Sequence, residues 1–318
     1  MRIGLVDVDG HNFPNLALMK ISAYHKKRGD QVEWWAGNFI HYDAVYKSKV
    51  FDDTYSHDPY DIWNAEKVIL GGTGYGLDNT LPLEIEHIYP DYTLYPDLTR
   101  NTAYGFLSRG CPRGCHFCIV AEKEGKRSVK VANLAEWWNG QKQIKLLDPN
   151  ILACPDHLDL LAQLADSQSW VDFTQGLDVR LVTAQNIEAI NACKVKRMHF
   201  AWDNPDEDLI GIFRKVGEML KIKQSDRRLV YVLTNFGSTI EQDLYRVHNL
   251  IDLNFDPYIM IYDKPNAPKQ IRNLQRWCNS FRIRKVVSNF ENYDPKHKHS
   301  ALSGQIEWRI QDGKVNPS

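Results

Sequence analysis

Short apolar segments alternate with amphipathic ones along the first 95 residues. Gly29 interrupts the helical pattern, and a glycine-rich turn over 71–76 follows the last apolar segment. The pattern predicts strands over 3–8, 31–35, 43–51 and 66–70, with a helix over 15–27. Strands that alternate with helices favour a small doubly wound parallel sheet. The proline-rich stretch over 81–96 then predicts a connection to a second domain.

The same alternation repeats six times from residue 103 onward. Strands are predicted over 103–107, 144–147, 170–174, 197–202, 229–233 and 257–262, and amphipathic stretches over 134–138, 156–165, 184–191, 206–220, 239–250 and 269–281. Six such units form an open version of the eight-unit (β/α) barrel. We therefore predict an α/β protein in which a doubly wound domain over 1–95 precedes a (β/α)6 partial TIM barrel over 96–290, followed by a C-terminal extension over 291–318.

Composition is that of an ordinary globular protein, with 43% hydrophobic and 25% charged residues. No apolar run approaches the roughly twenty residues that a membrane span needs, so we expect a cytoplasmic protein without a membrane partner. Residues 1–190 hold 18 basic and 25 acidic side chains, whereas residues 191–318 hold 21 and 15. The basic last third would suit a phosphate-bearing partner such as a nucleic acid, although solvated helix ends are the favoured explanation for a charge of this size.

Three cysteines, Cys111, Cys115 and Cys118, follow the first predicted barrel strand with C-x3-C-x2-C spacing. Three soft ligands on one tight turn suit a cubane iron–sulfur cluster, in which they leave one iron open. Zinc would need a fourth ligand, and structural zinc loops are usually paired C-x2-C knuckles. Disulfides are disfavoured by the expected reducing compartment. The cysteines at 154, 193 and 278 are expected to be small buried hydrophobes.

The loop, with aromatic Phe117 before its last cysteine, resembles the signature of the radical S-adenosylmethionine (radical SAM) superfamily. The likeness covers about residues 100–290 and is most specific at the cysteines. It implies a 4Fe-4S cluster held by Cys111, Cys115 and Cys118, with S-adenosylmethionine chelated at the open iron. It also implies that Phe117 lies near the adenine and that an external one-electron reductant supplies the cluster.

Polar residues follow the predicted strands at the edge where parallel barrels gather their working groups. A turn containing Asp148 and Asn150 stands in place of the Gly-Gly-Glu motif of many family members, and either residue is a candidate for the cofactor ammonium. Arg180 is a candidate for the cofactor carboxylate. The remaining candidates for cofactor contacts are Gln175, Asp178, Asp203 and Asn235. Asp203 or Asn235 alone is more often a helix N-cap than a ligand contact.

The turns of the N-terminal domain partly resemble those of cobalamin-binding domains. Residues 9–14, 48–50 and 71–72 stand where such domains have D-x-H-x-x-G, S-x-L and Gly-Gly, which makes His11 a candidate cobalt ligand. Pro14 replaces the glycine and Val50 the leucine, so cobalamin is the less favoured expectation.

The resemblance implies a radical SAM enzyme that cleaves S-adenosylmethionine reductively and abstracts hydrogen from a substrate, with a nucleotide or RNA base favoured by the basic last third. One alternative is a cobalamin-dependent radical SAM methyltransferase. Another, from a different class, is a non-catalytic binding protein in which an iron–sulfur cluster or zinc only staples the loop.

Overall fold

A computed structural model describes residues 1–10, 12–296, 309–311 and 314–316. The N-terminal sheet is parallel and has the strand order β2-β1-β3-β4. Its strands are β1 (Arg2–Asp7), β2 (Gln31–Trp34), β3 (Ala44–Ser48) and β4 (Val68–Gly71). This order, which grows to both sides of β1, is that of a doubly wound sheet.

The central strands β1 and β3 are largely buried on both faces, whereas Val68, Ile69 and Leu70 of the edge strand β4 are exposed. Helix α1 (Leu16–Lys27) begins at Asn15, whose side chain accepts a hydrogen bond from the Leu18 N–H. Its Leu18 and Ile21 pack with Leu5 on one face, joined by the short helix α2 (Leu83–Glu86). Opposite-facing apolar residues, including Val6 and Val45, form a second cluster with loop side chains.

The second sheet has six strands in the order β12-β11-β10-β9-β8-β5. Pairing is parallel between β5 and β8, β8 and β9, and β11 and β12. Its strands are β5 (Thr102–Gly105), β8 (Gln143–Leu146), β9 (Trp170–Leu177), β10 (Lys194–Ala201), β11 (Arg228–Thr234) and β12 (Asp256–Ile261). Strands β5 and β12 are its edges, so the sheet is an open, barrel-like one.

Helices follow most strands of this sheet. They are α5 (His157–Asp166), α6 (Ala184–Ala192), α7 (Ile210–Met219), α8 (Ile240–Asp252) and the pair α9 (Lys269–Cys278) and α10 (Phe281–Val286). The first crossover differs, because between β5 and β8 the chain forms a hairpin of β6 (Ser108–Arg109) and β7 (Val129–Lys130) around the short helix α4 (Val120–Lys123). The amphipathic stretch predicted over 134–138 is a 3₁₀ turn, Leu134–Glu136. A short helix α3 (Pro96–Thr99) precedes β5, and the antiparallel pair β13 (Arg309–Gln311) and β14 (Lys314–Asn316) lies near the C-terminus.

The predicted fold class is confirmed: a doubly wound domain is followed by a partial-barrel sheet. The chain divides into two compact units, of which the first holds Met1–His199 and Met219–Ile222 and the second begins at Phe200. The predicted junction near residue 95 therefore lies inside the first unit, and the domain boundaries stay predictions. The predicted extension over 291–318 lies partly outside the described residues, and His11 lies outside them. Among the helices of the described ranges, none has the length and apolar character needed to cross a membrane.

Candidate functional site

The three-cysteine loop leaves the six-stranded sheet at the carboxyl end of β5, inside the β6–β7 hairpin. Cys111 N–H donates to the Gly125 carbonyl at 3.1 Å, and Cys118 N–H donates to the Cys115 carbonyl at 2.9 Å. Gly110 has a φ of +85°, and a Cβ atom there would overlap the Arg127 carbonyl oxygen. The start of the loop is thus held against residues 125–127, which lead into β7.

Burial separates the three loop cysteines from the other three. Cys111 and Cys115 are half-buried and Cys118 is exposed, whereas Cys154, Cys193 and Cys278 are buried, and none of the six forms a disulfide. Burial raises the pKa of the Cys193 and Cys278 thiols to about 12, so both remain protonated at neutral pH. The prediction that these distant cysteines are small buried hydrophobes is confirmed.

Three thiols on one loop are donors of the kind that hold an iron–sulfur cluster. In the described part of the chain, no three His, Cys, Asp or Glu side chains gather closely enough to hold one metal ion. A cubane binds each thiolate at a different iron, so its three ligands stand around it and need not converge on one point. Three accessible thiols within eight residues meet that requirement.

Asp148 binds the backbone that leads into the loop. Its carboxylate accepts the Leu107 N–H at 2.8 Å, and the Ser108 N–H and hydroxyl at 2.6 and 2.5 Å. Burial raises the pKa of Asp148 to about 7, which outweighs the opposing effect of these three hydrogen bonds. The residue thereby ties the turn after β8 to the start of β6.

Asn150 faces the first cysteine of the loop. Its Nδ2 donates to Cys111 Sγ at 3.7 Å. Asn150 is 3% exposed, makes no side-chain cap for the turn it begins, and its buried Oδ1 has no hydrogen-bond partner in the described residues. A buried acceptor left in this state costs about 1–3 kcal/mol, so the side chain is placed to receive a donor beside the cysteines.

The predicted residues at the end of β9 form a small polar network. Asp178 accepts the Arg180 N–H at 3.1 Å and the Arg180 Nε–H at 2.7 Å, and thus caps the turn that follows. The Arg113 guanidinium, on the cysteine loop, lies 3.8 Å from the other carboxylate oxygen. Gln175 is exposed on the same strand, and Phe117 is half-buried. The structure therefore brings Asp178 and Arg180 to the cysteine loop through Arg113.

Asp203 and Asn235 belong to the second unit. Buried Arg246 on α8 donates to the Asp203 carbonyl at 3.0 Å, and also to the carbonyls of Trp202 and Leu233. Asn235 has a φ of +60°, and its Nδ2 donates to the Tyr262 carbonyl at 2.8 Å. The structure thus uses the backbone of the first and the side chain of the second to order strand ends, and their predicted cofactor contacts stay predictions.

Several of the basic residues on which the prediction of a nucleic-acid partner is based interact with other residues of the chain. Arg228 is 2% exposed and stacks its guanidinium over the Phe255 ring at 4.0 Å. Lys223 donates to carbonyls at the end of α7, and Arg284 pairs with Asp256. A nucleic-acid partner therefore stays a prediction.

A polar layer on the six-stranded sheet was missed by the sequence reasoning. Tyr104, Lys145 and Asp172 lie side by side in register on β5, β8 and β9, and hence on one face. His199 on β10 lies next to them, with Nδ1 3.8 Å from Asp172 Oδ1. The available signal was the charge itself, because strands of a parallel sheet are usually apolar on both faces.

The turns expected to resemble a cobalamin site are packed against one another. Gly74 N–H donates to the Lys49 carbonyl at 2.9 Å, and the Val50 N–H donates to the Asp9 carboxylate. The Lys49 side chain is 1% exposed and its ammonium lies 5.8 Å from the centre of the Tyr75 ring. These hydrogen bonds join the three turns to one another, and the cobalamin expectation stays a prediction.

No protein-family model matches the chain, and no curated protein matches it. Among solved structures, the crystal structure of Streptococcus suis SuiB superposes with a TM-score of 0.39 and 11% sequence identity. The match covers 66% of this chain and 53% of SuiB, so the chain spans about half of the SuiB length.

Proposed function

We propose that the chain is a radical SAM enzyme in which Cys111, Cys115 and Cys118 hold a 4Fe-4S cluster. The observation that carries the proposal is the position of the loop. The loop carries three thiols that are not buried, and it follows the carboxyl end of the first strand of an open, barrel-like α/β sheet. Barrel enzymes place their catalytic groups at this edge. When bound, the cluster would supply one electron for the reductive cleavage of S-adenosylmethionine.

The chain's own residues position the loop and receive the cofactor. Asp148 fixes the backbone at residues 107–108, and Gly110 allows the close approach of the hairpin. Asn150, with its unpartnered Oδ1 beside Cys111, is the acceptor we assign to the cofactor ammonium. Through Arg113, Asp178 and Arg180 orient the far side of the loop.

The direct test is anaerobic reconstitution with iron and sulfide, followed by reduction in the presence of S-adenosylmethionine. We expect 5′-deoxyadenosine, together with an electron paramagnetic resonance signal of a reduced cluster that changes when the cofactor is added. The single variants C111A, C115A and C118A should lose both. C193A is the matched control, because it removes a buried thiol from helix α6's end and should keep both.

Two outcomes would contradict the proposal. Full iron loading without any 5′-deoxyadenosine would favour the non-catalytic binding protein. One zinc ion per chain that is lost in all three loop variants would favour a purely structural zinc site in the loop. Cobalt in the purified protein would instead support the methyltransferase alternative.

A further inference from the structure

Two charged side chains of opposite sign stand next to each other on the polar face of the six-stranded sheet. Lys145 on β8 is directly opposite Asp172 on β9 in the strand register. Neighbouring strands lie about 4.8 Å apart, yet the described residues show no ion pair between the two. The Lys145 ammonium instead lies 5.2 Å from the Phe13 ring centre and 5.6 Å from that of Tyr104.

Asp172 is buried without a full set of partners. It is 7% exposed, and its buried Oδ1 accepts no hydrogen bond from the described residues. The His199 ring nitrogen that lies 3.8 Å away bonds instead to the Phe173 carbonyl at 2.8 Å. A buried carboxylate oxygen in this state is strongly biased towards an incoming N–H donor.

Two aromatic rings, exposed Phe13 and buried Tyr104, border the two charges. The Phe13 ring packs edge-on against Tyr104 with ring centres 5.2 Å apart, and Phe13 is 40% exposed. Phe13 comes from the turn after β1, so the N-terminal sheet contributes one wall. The face concerned is opposite to the one that carries Phe200, which packs against Phe213 of α7.

We propose that Lys145 and Asp172 form a binding site for the zwitterionic head of an α-amino acid with an aromatic side chain. Lys145 pairs with the carboxylate and Asp172 with the ammonium, while the exposed Phe13 ring, which packs on Tyr104, contacts the side chain. The spacing favours this ligand over a nucleotide. Two charges on adjacent strands match an anion and a cation on neighbouring atoms, whereas a phosphate and a base edge are separated by a sugar.

The inference rests on the proposed function, because it names the substrate class of the same barrel. Lys145 lies within β8, whereas Asn150, which faces Cys111, follows the end of that strand. The amino acid would thus lie deeper in the sheet than the cysteine loop.

The test is calorimetric titration of the full-length protein with L-phenylalanine, L-tyrosine and L-tryptophan. Binding of at least one is expected at a dissociation constant of about 1 mM or tighter. With unchanged protein, 3-phenylpropionate and phenethylamine, which each lack one charge, should bind about tenfold or more weakly. This arm needs no variant and holds even if a substitution impairs folding.

Variants then assign the two charges. K145M and D172N should each weaken the amino acid about tenfold or more. The controls K142M and D166N remove exposed charges nearby and should bind as the unchanged protein does. K145M should bind phenethylamine as tightly as the unchanged protein does, whereas D172N should bind it more weakly. This difference would confirm which group each residue binds.

The proposal is overturned if none of the three amino acids binds, or if the single-charge analogues bind equally well. It is also overturned if adenosine monophosphate binds instead and loses affinity in K145M. Its failure is distinguishable from that of the proposed function. Titrations of iron-free protein report on this site alone, and 5′-deoxyadenosine formation reports on the cysteine loop alone.

Discussion

Asp148 and Asn150 lie two residues apart, yet the structure gives them different partners. Both carboxylate oxygens of Asp148 accept hydrogen bonds from the backbone and hydroxyl of residues 107–108, so Asp148 positions the chain that leads into the loop. Asn150 keeps a buried oxygen without a partner and turns its amide to Cys111. Of the two candidates for the cofactor ammonium, Asn150 therefore has the acceptor to offer.

The raised pKa of Asp148 predicts a pH-dependent contribution to stability. The carboxyl group ionises at its ordinary value of 3.8 in the unfolded chain but at about 7 in the folded one. Its contribution is thus fully present below pH 3.8 and is lost as the pH rises towards 7. The free energy of unfolding should fall over this window relative to D148N, by at most about 1.4 kcal/mol per pH unit.

Urea unfolding of the unchanged protein and of D148N between pH 4 and 8 measures this difference. The exposed Asp166 provides the control, since D166N should follow the unchanged protein at every pH. A constant difference between D148N and the unchanged protein across the range would show that Asp148 is ionised throughout.

At the scale of elements, the β6–β7 hairpin sets the shape of the cysteine loop. Arg109 on β6 pairs with Glu124 at 3.0 Å, and Gly110 N–H donates to the same carboxylate at 3.3 Å. Ser108 and Lys130 face each other in the antiparallel register. The hairpin therefore closes the loop at its base, which reduces the number of conformations from which the three thiols must be gathered.

Two glycines of the loop provide a matched pair of substitutions. Gly110 and Gly114 both have positive φ, at +85° and +55°, but only at Gly110 would a Cβ meet another part of the chain, the Arg127 carbonyl. G114A should cost about 1–2 kcal/mol from backbone conformation alone. G110A should cost about 1–3 kcal/mol more, because the hairpin must shift.

Urea unfolding measures the two costs, and cluster absorbance after reconstitution reports on the loop. We expect G110A to lose most of its bound iron and G114A to keep it. Equal iron content and stability in the two variants would show that the hairpin does not control the loop.

At the scale of the whole molecule, the sequence predicted what depends on local pattern. Strand and helix periods located nearly every element of both sheets, because each βα unit buries its own apolar face. The first crossover was the exception. There Trp137 packs over Gly105 and donates its indole N–H to the Phe106 carbonyl, so a 3₁₀ turn takes the place of a longer helix.

The sequence predicted only part of the candidate site, because its residues differ in how far apart they lie along the chain. The three loop cysteines lie within eight residues of sequence, so their spacing alone indicates a shared ligand. Lys145 and Asp172 are 27 positions apart and meet only through strand register. Their partners, and the orphaned oxygen of Asn150, likewise depend on long-range packing that no local pattern encodes.

Contacts across the predicted domain junction yield the last prediction. Lys123 donates to the carbonyls of Leu77 and Asn79 at 2.6 and 2.5 Å, and Tyr92 donates to the Trp137 carbonyl at 2.6 Å. Because these bonds join residues 77–92 to the first crossover, a chain of residues 96–318 should lose more than about 3 kcal/mol of unfolding free energy. Urea unfolding and near-ultraviolet circular dichroism measure the loss. A transition at the same urea concentration as that of the full chain would instead establish residues 96–318 as an independent domain.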